Sequence, residues 1–259
     1  MPGVRSEREG GVATLTIDRE AKRNALDRET LDALEAELDA AAGDPGVRVI
    51  VLRGAGDRVF CAGADLAEIQ GHVSIEASRR HFDGVARVML AMQRAGQPVI
   101  ARVPGFALAG GFGLAVAADF TVASVNARFG LPEIGIGLLP MVVSAPILRA
   151  TGSRKVVLDL VLSGRRVAAA EALRLGLASR VVPDAALDAE IDALAAQLAG
   201  RSPAALRLGK QAIYAMAEME YGAALRYLRE MIVLTASTED AQEGIKAFFE
   251  KRAPQWTGR

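Results

Sequence analysis

Strand-like and helical segments alternate along this chain as far as Pro183, and beyond it only helical patterning remains. Residues 12–18 alternate small or apolar with polar side chains, the period of a half-buried strand. Asp27 then offers an N-cap, and Leu31, Leu34, Leu38 and Ala41 recur at helical spacing. Residues 47–52 read as a buried strand, and Asp65 opens another helix. Residues 75–93 form a longer helix with Phe82, Val85, Val88, Met89 and Met92 on one side. Residues 99–103 and 120–123 are further strands, while 53–64 and 126–137 read as loops. This order predicts an α/β core, residues 1–190, followed by a helical part, residues 191–259.

Composition narrows the functional classes. Lys+Arg and Asp+Glu both number 31, so no global field draws the chain toward nucleic acid or an anionic membrane. The one cysteine, Cys61, excludes an internal disulfide framework and fits a reducing compartment. It has no histidine at a telling spacing, so a small buried residue is the better reading than a nucleophile. His72 and His81 have no partners at metal-ligand spacing, and no metal is expected. The opening residues lack the apolar stretch of a leader, and no run of about 18 apolar residues occurs. A cytoplasmic protein without a membrane span is expected.

Two glycine-rich loops carry the chemical signal: residues 60–65 (FCAGAD) and 107–113 (ALAGGFG). Each closely follows a strand and leads into a helix. Small residues there let main-chain N–H groups approach a ligand unobstructed. Two N–H groups converging on one oxygen would form an oxyanion hole, each donor worth roughly 2.7–4 kcal/mol in a transition state. Neither loop has the spacing of a dinucleotide fingerprint or a P-loop.

Further segments make a resemblance specific. Lys22-Arg23-Asn24-Ala25-Leu26, then FCAGADL at 60–66 and PVIARVPGFALAGG at 98–111, occur in that order. Residues 127–137 (ARFGLPEIGIG), 162–166 (LSGRR), 170–183 (AEALRLGLASRVVP) and 247–252 (AFFEKR) follow. With these the chain resembles the enoyl-CoA hydratase/isomerase (crotonase) family over nearly its whole length. The resemblance implies a spiral of repeated ββα units, a helical C-terminal trimerisation region, and trimers often paired into hexamers. It places a thioester carbonyl between the N–H groups of Ala64 and Gly110, with Glu133 as acid/base. CoA, as part of the substrate and with no separate cofactor, would contact Ala25, Ala62, Asp65 and Leu66. Its phosphates would lie near Lys22 or Arg23, with Lys251 supplied by a neighbouring subunit. Gly111, Gly113 and Met141 would border the substrate, and Trp256 would pack at a subunit edge.

Two departures from the family pattern stand out. Hydratases of the family carry a first glutamate three residues after the Gly110 position, and here that residue is Gly113. After Pro140 the chain reads Met141-Val142-Val143-Ser144-Ala145-Pro146 in place of a glycine-rich stretch, which would reshape an acyl pocket. Adding water across a double bond uses two carboxylates naturally, whereas shifting a double bond needs one base. Decarboxylation of a malonyl-type thioester needs chiefly the oxyanion hole. The expectation is therefore a hydratase/isomerase-family enzyme with a single glutamate. The alternatives are a decarboxylase, a silent acyl-CoA binder or an RNA-binding relative, the last disfavoured by the balanced charge. Asp57, Glu68, Glu76 and Asp83 are candidates to replace the missing carboxylate.

Overall fold

The computed structural model describes residues 3–71 and 74–259. Its core repeats a unit of two strands and a helix. The first unit is β1 (Val4–Glu9), β2 (Val12–Ile17) and α1 (Arg28–Gly43), and the second is β3 (Val49–Gly54), β4 (Val59–Cys61), α2 (Leu66–Gln70) and α3 (Ile75–Arg94). The third is β5 (Val99–Val103), β6 (Phe106–Leu108) and α4 (Gly110–Ala117). Then come β7 (Phe120–Ser124), β8 (Arg128–Gly130), a 3-10 turn (Pro132–Ile136), α5 (Met141–Thr151) and α6 (Arg154–Ser163). β9 (Arg166–Ala168), α7 (Ala169–Arg174) and β10 (Arg180–Val182) complete the core. The helices α8 (Leu187–Ala199), α9 (Pro203–Met216), α10 (Tyr221–Ala236) and α11 (Glu239–Glu250) follow.

From the second unit on, the two strands of a unit go to different sheets. The large sheet has the order β1-β2-β3-β5-β7-β10 and the small one β4-β6-β8-β9. All neighbours in the large sheet are parallel except β1 with β2, and in the small sheet only β9 is antiparallel. The large sheet is covered on both faces, which explains the continuous apolar runs of β3 and β5. Leu15, Ile50, Leu52 and Ala101 pack with Leu31, Leu34, Val88 and Met92 of α1 and α3. Val49, Val51, Ile100 and Val122 pack on the other face with Leu187, Ile191 and Leu194 of α8. Arg102, buried in the middle of β5, is paired with Asp57 and Asp188 and so ties α8 down further. A division near residue 190 falls inside α8, and the helices beyond the sheet begin at α9.

The helical part rests on the core through α9. Lys210 donates to the carbonyls of Met92 (2.8 Å) and Gln97 (3.0 Å) and pairs with Asp119 at 2.7 Å. Tyr214 donates to the same carboxylate at 3.0 Å. Trp256 pins the tail within the chain, its Nε1 donating to the Gly200 carbonyl at 2.8 Å and its ring lying against Gly244.

Periodicity missed the small sheet. β4 lies in the stretch expected to be loop and β8 in the second expected loop, while β9 falls where no strand was expected. Each is three residues long, too short to display a period of two, and their pairing is set by distant neighbours. β1 was missed because it is a polar edge strand in which only Val4 is buried. Asp27 and Asp65 do cap their helices, accepting from Thr30 N–H and Ala67 N–H. Phe82, expected on the apolar side of α3, is exposed, whereas Val85, Val88 and Met92 are buried. Among the described residues no helix is long and apolar enough to cross a membrane; His72 lies outside the described residues.

Candidate active site

Three adjacent parallel strands of the small sheet, β4, β6 and β8, deliver three segments to one edge. β4 leads into Ala62–Asp65, β6 into Ala109-Gly110, and β8 into Pro132-Glu133. With strands about 4.8 Å apart, Ala64, Gly110 and Glu133 leave neighbouring strand ends, where parallel sheets place ligands.

The first two segments touch through main chain. Gly63, at φ +93°, has no room for a side chain: a Cβ would overlap that of Ala109 and lie 3.1 Å from the Gly110 nitrogen. Gly111 faces the backbone of Cys61 in the same way. Ala109 itself sits at φ 52°, ψ −128°, a region that costs an alanine about 1–3 kcal/mol. It is held there by its N–H bond to the Gly130 carbonyl (2.9 Å) and starts α4. Among the described residues, the Ala64 and Gly110 amides donate no hydrogen bond within the chain. Two free N–H groups, one of them at a helix start, thus leave adjacent loops. Cys61 is buried behind them, its Sγ accepting from Gly63 N–H at 3.3 Å; burial pushes its thiol up to about 12.

The 22–26 segment lies alongside. Arg23 accepts from Ala62 N–H, and Leu26 exchanges bonds with Gly63 and Asp65 at 2.8 Å. Arg23 and Asn24 both adopt φ near +55° (54° and 55°). Asn24 is fully buried, donates to the carbonyls of Ala55 (3.0 Å) and Val59 (2.7 Å), and so locks this turn onto β4. Arg19 bridges the rest: it donates to the Ala25 carbonyl at 2.5 Å and pairs with Asp27 (2.7 Å) and Asp65 (3.0 Å). Burial works to raise the Asp65 carboxyl, but Arg19, Ala67 N–H and the charge of Lys22 bring it below the usual range. Lys22, Arg23 and Leu66 are exposed at the rim, and Ala25 and Gly111 are buried beneath it. The structure therefore brings Lys22, Arg23, Ala25, Ala62, Asp65, Leu66 and Gly111 together. Met141, 68% exposed, begins α5 beyond the Glu133 turn, and Lys251 caps the end of α11.

Glu133 stands in the 3-10 turn with exposed Ile134 and Ile136 as neighbours. Its Oε2 is buried without a hydrogen-bond partner. Burial pushes its carboxyl above the usual carboxylate range, against the pull of its own N–H. A raised carboxyl at a site edge is the environment of a candidate acid–base group.

Gly113, one turn into α4, is enclosed. A Cβ there would lie 2.5 Å from Met89 Cε and 2.9 Å and 3.0 Å from the Val143 methyls. Apolar side chains fill the hollow that a side chain at this position would need. The four other candidate carboxylates are engaged elsewhere. Asp57 pairs with Arg102, Glu76 with Arg79 and Asp83 with Arg87, while Glu68 accepts from the Arg28 amide at 3.0 Å.

Comparison with known proteins decides the lineage: the family model for enoyl-CoA hydratase/isomerase matches residues 7–259. The chain belongs to the enoyl-CoA hydratase/isomerase family. It is 39% identical over 253 residues to the 2,3-dehydroadipyl-CoA hydratase of Escherichia coli, covering 97% of each chain. It is 35% identical over 246 residues to the short-chain-enoyl-CoA hydratase of Clostridium acetobutylicum, covering 95% of this chain and 94% of that one. The crystal structure of an enoyl-CoA hydratase from Mycobacterium smegmatis superposes with a TM-score of 0.94 at 36% identity, covering 99% of both chains. The fold is the crotonase fold, as the motifs implied. Within this family the sequence reading did not find Arg19, whose role depends on Asp65 from a distant loop, or the filling of the Gly113 hollow. Asn24 was visible only as part of KRNAL, although an asparagine after two basic residues before a turn is a signal for a left-handed conformation.

Proposed function

We propose that the protein acts on an acyl-CoA thioester through an enolate, with Glu133 as its single acid–base group. The observation that carries this reading is the combination of a half-buried Glu133, whose Oε2 is buried without a hydrogen-bond partner, with an apolar filling at Gly113. The Ala64 and Gly110 amides hold the thioester oxygen, and α4 adds the positive end of its dipole. Glu133 takes a proton from the α-carbon, negative charge gathers on the oxygen between the two amides, and the proton is returned to the γ-carbon. The net change moves a 3,4 double bond to the 2,3 position. No second carboxylate is required, and none is placed at Gly113 to activate water.

CoA lies along the rim formed by Lys22, Arg23, Ala25, Ala62 and Leu66. The apolar faces that α10 and α11 leave exposed, including Leu225, Ile232, Val233, Phe248 and Phe249, are covered by further copies in a trimer or hexamer. Such a neighbour would bring its Lys251 to the CoA phosphates. Hydration is the second reading, favoured by the hydratase names of relatives 35–39% identical. In that case Glu133 would serve an ordered water alone.

Incubation with 3-butenoyl-CoA separates the two. Conversion to crotonyl-CoA faster than crotonyl-CoA gains water supports the isomerase reading. Rapid hydration without isomerisation replaces it with the second.

A further inference from the structure

α4 carries Gly110, Gly113 and Ala117 at spacings of three and four, one face of a helix. At about 1.5 Å per residue, Gly113 lies roughly 4.5 Å and Ala117 roughly 10.5 Å along the axis from Gly110. The stripe leads from the proposed thioester site toward a cavity of about 420 Å³ between α3, the end of α4, α5 and α9. Met89, Leu90, Val116, Ala117, Val142 and Pro146 give it largely apolar walls. Of the three polar side chains at its rim, Arg149 pairs with Glu218 and the Tyr214 hydroxyl is bound to Asp119, while Gln93 is the third. A hollow of this kind suits an uncharged hydrocarbon. A cavity of roughly 150 Å³ accepts benzene, so this one, of about 420 Å³, has ample room for the tail of an octanoyl chain.

Met89 belongs to both places. It lines the cavity, and its terminal methyl fills the hollow beside Gly113. Val143 completes that wall from α5, but its branched side chain is stiff, whereas methionine has three rotatable bonds and a free end. Resting on the acyl-CoA reading above, we propose that Met89 sets the acyl-chain length, closing the thioester site off from the cavity. Short acyl groups end against its methyl, and removing that side chain lets a longer tail continue along α4 to Ala117.

Saturated butyryl-CoA and octanoyl-CoA test this without depending on the chemistry, by titration calorimetry. Met89→Ala should improve octanoyl-CoA affinity relative to butyryl-CoA about tenfold or more, the scale of newly seated methylenes. Ala117→Phe, added to Met89→Ala, should cancel the gain by refilling the cavity. Met89→Val keeps more of the wall and gives a second determination should the alanine variant fail to fold. An octanoyl-to-butyryl ratio equal to that of the wild type in a folded variant overturns the role of Met89. Failure of the wild type to bind either thioester would instead sink the acyl-CoA reading.

Discussion

The terminal methyl of Met89 occupies the side-chain space of Gly113, 2.5 Å from where a Cβ would sit. Val143, from the stretch after Pro140, closes the same hollow from α5.

Placing a glutamate at Gly113 should therefore be costly. Gly113→Glu must displace the end of Met89 and push on Val143 while burying a carboxylate without a partner. Overpacking alone costs about 1–3 kcal/mol. Thermal unfolding should show a lowered Tm, partly recovered in Gly113→Glu combined with Met89→Ala. An unchanged Tm in the single variant would show that the hollow is open.

Glu133 should trade stability for activity. Its folded-state pKa lies above its unfolded value of about 4.3, so ionisation is easier in the unfolded chain. Its contribution is intact below that value and is lost as pH rises through the raised folded pKa. Glu133→Gln should then melt with the wild type at low pH and above it at neutral pH. Turnover should fall by about 10²–10⁴-fold, and the wild-type rate should rise with pH through a value above the ordinary carboxylate range. Full activity in the variant would remove Glu133 from the mechanism.

The contact between Gly63 and Ala109 makes a coupled pair. Gly63→Ala places a methyl onto that of Ala109 at a positive φ and should separate the two amides, lowering kcat by about 10²-fold or more. Ala109→Gly in the same chain removes one of the colliding groups and should restore part of the loss. Additive effects in the double variant would show that the loops do not press on one another.

Lys210 should be needed to hold α9 on the core. Burial lowers its ammonium below the ordinary lysine range despite the pull of Asp119, so the pair is retained at a desolvation cost. Lys210→Met leaves Asp119 with only the Val99 amide and Tyr214 as partners and should cost about 3 kcal/mol in denaturant unfolding.

The sequence disclosed the long elements because their periods are visible: Leu31, Leu34 and Leu38 on α1, and the apolar run of β3. The α/β core with a helical end followed directly. The small sheet that presents the site was illegible, since β4, β6, β8 and β9 are three residues each. Glu133, Ala64 and Gly110 were singled out through family motifs, whereas their adjacency comes from the register of β4, β6 and β8. The absence at Gly113 was plain, but its meaning depended on Met89, 24 positions earlier on another helix. Packing between distant residues has no local signature.

Proton transfer by the one carboxylate of Glu133, without addition of water, can be followed isotopically. Crotonyl-CoA incubated with the wild type and Glu133→Gln proteins in deuterated water, followed by mass spectrometry, tests it directly. Deuterium uptake into the acyl chain should run well ahead of any gain of water, and Glu133→Gln should abolish it. Water addition keeping pace with deuterium uptake, or uptake undiminished in Glu133→Gln, would contradict it.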